Sequence, residues 1–291
     1  MELSYYPGCT LKTTARNFET TALAVLELFD MQARELPEWY CCGVNFSQVQ
    51  DNLMLQLAPL RTLMRAKQTG SRQLLTLCAM CYNTLRRAQQ FIGEDEARRA
   101  TINDFMDHEG GDFTGDEVEI IDILTLLKQI GPDKLQARII RPVSLQVAPY
   151  YGCLLLRPRT VAIDDPNNPQ IMENLLSAVG CQPVAYPFRT DCCASYQIVN
   201  EPQIVHSQTK KIVTSAVQHG AELLVVLCPL CHYNLDAVQA EIARAERTFK
   251  TIPVLYFTQL LALIFGLPAA LNDFGTHRID PVPTLKAKGL L

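Results

Sequence analysis

Residues 71–81 read Ser71-Arg72-Gln73-Leu74-Leu75-Thr76-Leu77-Cys78-Ala79-Met80-Cys81, and residues 221–231 read Ala221-Glu222-Leu223-Leu224-Val225-Val226-Leu227-Cys228-Pro229-Leu230-Cys231. In both, a short apolar run leads straight into Cys-x-x-Cys. Runs of this length suit a buried strand better than a helix, so Ser71 to Leu77 and Glu222 to Leu227 are expected as strands. Helical stretches precede them, Asp51 to Gln68 and Gln203 to His219, each followed by a glycine, Gly70 or Gly220, at the C-cap position. Further helices are expected over Tyr82 to Phe91 and Tyr233 to Arg247. Helix, strand, loop, helix is an α/β unit with a parallel sheet, and its Cys-x-x-Cys falls at the carboxyl end of a strand, where open α/β sheets hold their sites.

Working outward, ten of the eleven cysteines form two copies of one pattern: Cys9, Cys41-Cys42 and Cys78-x-x-Cys81, then Cys153, Cys192-Cys193 and Cys228-x-x-Cys231. The gaps before the cysteine pair are 31 and 38 residues, and those after it are 35 and 34. Tyr5-Tyr6-Pro7-Gly8-Cys9 answers Tyr150-Tyr151-Gly152-Cys153, and Cys41-Cys42-Gly43 answers Cys192-Cys193-Ala194. A period near 150 residues is too long for a solenoid. The fold expected is α/β, built of two pseudo-symmetric duplicated halves, residues 1–140 and 141–291, each with a small, mostly parallel sheet. The eleventh cysteine, Cys181, aligns opposite Asp30, has no twin, and is expected to be a buried structural thiol.

A net charge of −4 with no basic run longer than a pair gives no nucleic-acid footprint. Neither a signal peptide nor an apolar segment of bilayer-spanning length is read, so a cytoplasmic protein is expected. There, cysteine-rich patterns point to metal or redox chemistry more than to disulfides. Zinc takes four ligands in a closed tetrahedron, whereas each set offers five, and adjacent cysteines suit a larger, spread-out cluster. Iron–sulfur is therefore favoured, with zinc in one motif as the alternative.

The arrangement Cys, Cys-Cys-Gly, Cys-x-x-Cys resembles the CCG motif, and two copies in a chain of this length resemble the B subunit of heterodisulfide reductase. The resemblance implies that Cys9, Cys41, Cys42, Cys78 and Cys81 hold one non-cubane [4Fe–4S] cluster and that Cys153, Cys192, Cys193, Cys228 and Cys231 hold a second. It further implies that a disulfide substrate is cleaved between them, one electron from each. Related motifs occur in thiol-dependent fumarate reductases and in E-type succinate dehydrogenase subunits, where the chain would serve as an electron-transfer subunit of another complex. With no nucleotide-binding fingerprint and no ferredoxin-type cysteine run, the family implies a flavin-bearing A-type and a ferredoxin-like C-type partner.

Ala194 departs from the CCG pattern, and because alanine resists a positive φ the second loop is expected to differ slightly. His232, next to Cys231, is a candidate proton donor or, more plainly, a supporting histidine. His206 and His219 are expected to be ordinary, and Tyr5, Tyr6, Tyr150 and Tyr151 to pack around the clusters. The apolar run Leu260 to Leu267 is read as core or as a partner contact. Gly93 to Glu119 is read as helix ends with an exposed loop, and Asn272 to Leu291 as an extended tail.

Overall fold

The computed structural model describes residues 2–44, 52–109 and 113–291. The first half runs β1 (Glu2–Tyr6), α1 (Gly8–Leu11), α2 (Arg16–Glu27), β2 (Gln32–Glu35), α3 (Leu57–Gln68), β3 (Gln73–Thr76), α4 (Ala79–Gly93), α5 (Glu96–Phe105), β4 (Glu119–Asp122), α6 (Ile123–Ile130) and α7 (Pro132–Gln136). The second runs β5 (Gln146–Pro149), α8 (Ile171–Ala178), β6 (Gln182–Pro183), α9 (Gln197–Asn200), α10 (Pro202–Gln218), β7 (Leu223–Val226), α11 (Pro229–Ala245), β8 (Val254–Tyr256), α12 (Phe257–Ile264) and α13 (Val282–Ala287).

Each half carries a four-stranded parallel sheet, in the orders β2-β1-β3-β4 and β6-β5-β7-β8. The strand order reverses between β1 and β3, and again between β5 and β7. Their carboxyl ends form the crevice where doubly wound sheets place ligands. Thr76 and Val226 close β3 and β7 two residues before Cys78 and Cys228, so the expected strands and their parallel pairing are present. Gly70 and Gly220, at φ +76° and +90°, end α3 and α10 as anticipated. Asp51, where the first of those helices was expected to start, lies outside the described residues. The helices after the strands begin earlier than expected, because Cys78 and Cys228 are themselves the N-caps and Cys81 and Cys231 fall in the first turn.

One helix of each half packs on the other half. α12 lies against α2, and α6 against α8. Across the first of these contacts Phe18 stacks on Tyr256 with ring centroids 4.3 Å apart, and the Thr21 and Thr258 hydroxyls lie 2.9 Å apart. Between the halves, the Ile140 and Arg141 amides donate to Ile264 O at 3.0 and 2.9 Å, anchoring the connection beneath α12. One core therefore runs from Leu3 to Leu290 through both sheets. Every residue of α12 is buried, so the apolar run Leu260 to Leu267 is largely core and offers no partner surface there.

Two other expectations change. Within the described part of Gly93 to Glu119, α5 packs on α4, and Ile102, Met106 and Phe113 are buried; an apolar residue every few positions in an acidic stretch is too sparse a pattern to read as a helix. The segment after Asn272 folds back instead of extending. The Asp236 carboxylate accepts from the Arg278 and Ile279 amides at 2.6 and 3.0 Å, the Asn17 amide donates to Thr276 Oγ1 at 3.2 Å, and Leu285 and Leu290 are buried. Its prolines start α13 and do not keep the chain extended.

The shared core makes a prediction. Phe18→Ala removes a ring with no exposed surface that both halves share. It is expected to cost about 3–5 kcal/mol and to lower the midpoint of one common unfolding transition in a denaturant titration.

Candidate metal centre

In each half three loops bring the cysteines to the carboxyl edge of the sheet: the turn after β1 or β5, the loop after β2 or β6, and the Cys-x-x-Cys turn. In the first set Cys41 Sγ lies 4.0 Å from Cys9 Sγ, the Cys41 and Cys42 thiols touch, and Cys42 and Cys78 both touch Cys81. In the second, Cys192 touches Cys153 and Cys193, Cys193 Sγ lies 3.4 Å from Cys231 Sγ, and Cys231 touches Cys228. Cys9, Cys41 and Cys192 are exposed, whereas Cys42, Cys78, Cys81, Cys193, Cys228 and Cys231 are buried. The two sets meet at one point, where the Cys78 thiol contacts the Cys228 sulfur.

Sulfurs packed this closely divide their protons unevenly. Contacts from Cys41 and Cys81 hold Cys42 below the usual thiol range, and contacts from Cys153 and Cys193 do the same for Cys192. Their neighbours Cys41 and Cys153 are pushed up, first by the thiolate beside them and then by burial. Cys228 is held well below the usual thiol range by Cys231 and Cys78, with the first-turn amides of α11 adding to the effect.

The loop after each cysteine pair has the same backbone. Gly43 and Val44 stand at φ +76° and +58°, and Ala194 and Ser195 at +66° and +49°. The expected difference at Ala194 is absent: the alanine accepts the left-handed conformation, at a cost of about 1–2 kcal/mol. The reason lies in the amides. Gly43 and Ala194 N–H point at Cys41 and Cys192, and Val44 and Ser195 N–H at Cys42 and Cys193. Two successive left-handed residues in each loop thus aim four donors in all at sulfur, the kind of hydrogen bonding that sets cluster electronics.

The tyrosines brace these loops. The Tyr6 hydroxyl donates to Tyr40 O and the Tyr150 hydroxyl to Asp191 O, each at 2.7 Å, and each acceptor directly precedes a cysteine pair. Their position in sequence places them near the cysteines without revealing this bracing role. Asn234 donates to the Cys193 and Ser195 carbonyls at 3.1 and 3.0 Å and approaches Cys193 Sγ at 3.5 Å. In the first half Thr84 takes that place, donating to Val44 O at 3.0 Å beside Cys42. Thr84 and Asn234 each stand three residues after Cys-x-x-Cys, whereas Asn83, aligned with Tyr233, donates to Leu154 O and Arg157 O in the other half, each at 2.7 Å. Sequence reasoning singles out neither Thr84 nor Asn234. Their place just after Cys-x-x-Cys, on the helix it opens, is the available signal.

The remaining candidates fall outside the cysteine clusters. His232 is buried, stacked 4.4 Å from Tyr256, with Nε2 3.1 Å from Val254 O. Burial, with His277 beside it, holds its pKa down to about 3, so the ring is neutral near neutral pH. His206 pairs with Glu241 at 2.9 Å and His219 Nδ1 lies 2.7 Å from Ser215 O, both ordinary contacts. Cys181 is a buried thiol raised to about 12 by burial. Its structural counterpart is Met31 and not Asp30, because both stand one residue before β2 or β6 and their amides donate to Leu26 O and Leu176 O in turn.

The donor set fits an iron–sulfur cluster. All five second-set cysteines line one small cavity, completed by Tyr151, Leu154, Ser195 and Leu230 and, from the other half, Ala79 and Met80. Among the described residues no three His, Cys, Asp or Glu side chains converge as a single-ion site. A Cβ added at Gly8 would sit 2.8 Å from Cys81 Sγ, and one at Gly152 3.4 Å from Cys231 Sγ. Both glycines, at φ +69° and +63°, keep that space clear. Gly43 has open space around its Cβ direction. Gly8→Ala is therefore expected to empty the first set while the second stays filled, halving the metal bound per chain. Gly43→Ala is expected to keep full occupancy at a stability cost of about 1 kcal/mol. Metal analysis of the purified variants checks both.

The cysteine-rich CCG domain model matches residues 3–86 and 147–236. The chain is 30% identical over 281 residues to the 8-methylmenaquinol:fumarate reductase membrane anchor subunit of Wolinella succinogenes, covering 96% of this chain and 97% of that one. It is 29% identical to the B subunit of the ferredoxin:CoB-CoM heterodisulfide reductase of Methanosarcina mazei, covering 91% and 89% of the two chains. A hypothetical protein of Helicobacter pylori has a crystal structure sharing the fold, with a TM-score of 0.72 at 11% identity over 95% of this chain, which spans about half of that one (51%). The chain belongs to the cysteine-rich CCG domain family, carries the domain twice, and is a relative of the B subunit of heterodisulfide reductase.

Proposed function

We propose that the chain is an iron–sulfur subunit of an oxidoreductase complex that reduces or forms a disulfide between two non-cubane [4Fe–4S] clusters. In this reading residues 1–140 and 141–291 are fused copies of one domain, and each five-cysteine set holds one cluster. The observation that carries it is the contact of Cys78 with Cys228: the buried ends of two complete ligand sets meet at the interface of the halves.

Reducing R–S–S–R′ to two thiols takes two electrons and two protons. Cys9, Cys41, Cys42, Cys78 and Cys81 would hold one cluster and Cys153, Cys192, Cys193, Cys228 and Cys231 the other, and the pair would supply the electrons one at a time. The residues of the chain do the rest. Cysteine ligation, the loop amides and burial fix each set, and the reciprocal packing of α12 and α6 fixes their separation. With no nucleotide-binding fingerprint in the chain, electrons enter from a flavin-bearing A-type and a ferredoxin-like C-type partner, in a cytoplasmic compartment that keeps thiols reduced.

The Wolinella relative, named as a fumarate reductase subunit, favours a second reading, electron transfer within another oxidoreductase complex with one motif optionally holding zinc. No helix among the described residues is long and apolar enough to cross a membrane. Anaerobic purification with iron and zinc analysis and EPR separates these readings. About eight irons per chain without zinc is expected; about four irons with one zinc sinks the two-cluster reading. A paramagnetic state that depends on added thiol supports disulfide chemistry, and its absence supports the relay.

A further inference from the structure

Tyr196 and Met80 form a contact that neither cluster set explains. Tyr196 follows the second cysteine loop, and its hydroxyl donates to Met80 Sδ, 3.2 Å away in the other half. Met80 lies inside the first Cys-x-x-Cys and yet lines the cavity of the second set, so its thioether stands between the two sets. Tyr196 is 41% exposed, so it can be reached from solvent. Its hydroxyl is held protonated first by burial and then by the nearby Cys78, Cys228, Cys42 and Cys9 sulfurs, which belong to both sets. The contact has no mirror image among the described residues. Leu230 occupies the position of Met80 in the other half and has no sulfur to accept a hydrogen bond.

The Tyr196 hydroxyl thus already donates to a neutral sulfur at the border of the two cysteine sets, as it would to a substrate sulfur arriving there. The donor is aimed into the gap, and the thioether fills the place of the absent acceptor. We propose that Tyr196 is a positioning residue that hydrogen-bonds the substrate sulfur, and that Met80 is an internal competitor which holds the hydroxyl until substrate displaces it. The inference rests on the disulfide reading above and adds the group that receives the substrate sulfur.

The two conservative variants must then act in opposite directions. Met80→Leu keeps the apolar volume and removes the acceptor, freeing the donor for substrate. Tyr196→Phe keeps the ring and removes the donor. The experiment titrates anaerobic holoprotein with 2-mercaptoethanol and follows the thiol-dependent EPR signal. Met80→Leu is expected to lower the half-saturating thiol concentration, and Tyr196→Phe to raise it, each by about two- to tenfold. The maximal signal and the iron content stay unchanged, which a merely structural role would not give. In the double variant the Met80→Leu gain disappears, since no donor is left to free. Shifts in the same direction, or no shift in either variant while the wild type responds, overturn the inference and leave the disulfide reading standing. A wild-type protein that ignores the thiol overturns both.

Discussion

The contact between the Cys78 and Cys228 sulfurs is the constraint around which the structure is arranged. Each caps the N-terminus of a long helix, α4 or α11, and each is reached from a buried parallel strand. To bring them together, the carboxyl edges of two sheets must face one another. Reciprocal packing of helices accomplishes this: α12 packs on α2, and α6 on α8, so neither half completes its own core alone. Stacked Phe18 and Tyr256 and the paired Thr21 and Thr258 hydroxyls fix the relative placement of the halves. The same tight packing fixes the distance between any groups the two cysteine sets hold.

Around that contact, strain is accepted where it serves the ligands. Ala194, Val44 and Ser195 all take positive φ, at about 1–2 kcal/mol each. In return, four backbone amides point at the paired cysteines of both halves. Tyr6 and Tyr150 hold the approach to those loops, and Thr84 and Asn234 hold the exit. The halves solve this last problem with different residues at equivalent positions, and the neighbouring Asn83 ties the two together through Leu154 and Arg157.

Much of this is legible in the amino-acid sequence. The apolar runs into Cys-x-x-Cys, the cap glycines Gly70 and Gly220, and the near-equal cysteine spacing point to parallel strands, helix ends and a duplicated site, because each is a local signal with a local cause. What is not legible depends on contacts distant in sequence. The run Leu260 to Leu267 reads as apolar whether it meets a partner or α2. The residues after Asn272 look like a tail, because the group that holds them, Asp236, lies more than forty positions before Arg278. Ala194 stands out as a departure, since nothing in the residue order reveals that Ser195 beside it takes a positive φ as well. Met80 and Tyr196 carry no local mark of their pairing at all.

The central claim is that two complete ligand sets face one another across the interface of the halves and that each holds iron. Anomalous diffraction at the iron edge, from crystals of anaerobically purified protein, tests it most directly. The account predicts two separate iron maxima, one inside each five-cysteine set, on either side of the Cys78 and Cys228 contact. A single iron maximum, or one set with anomalous signal at the zinc edge instead, would contradict it.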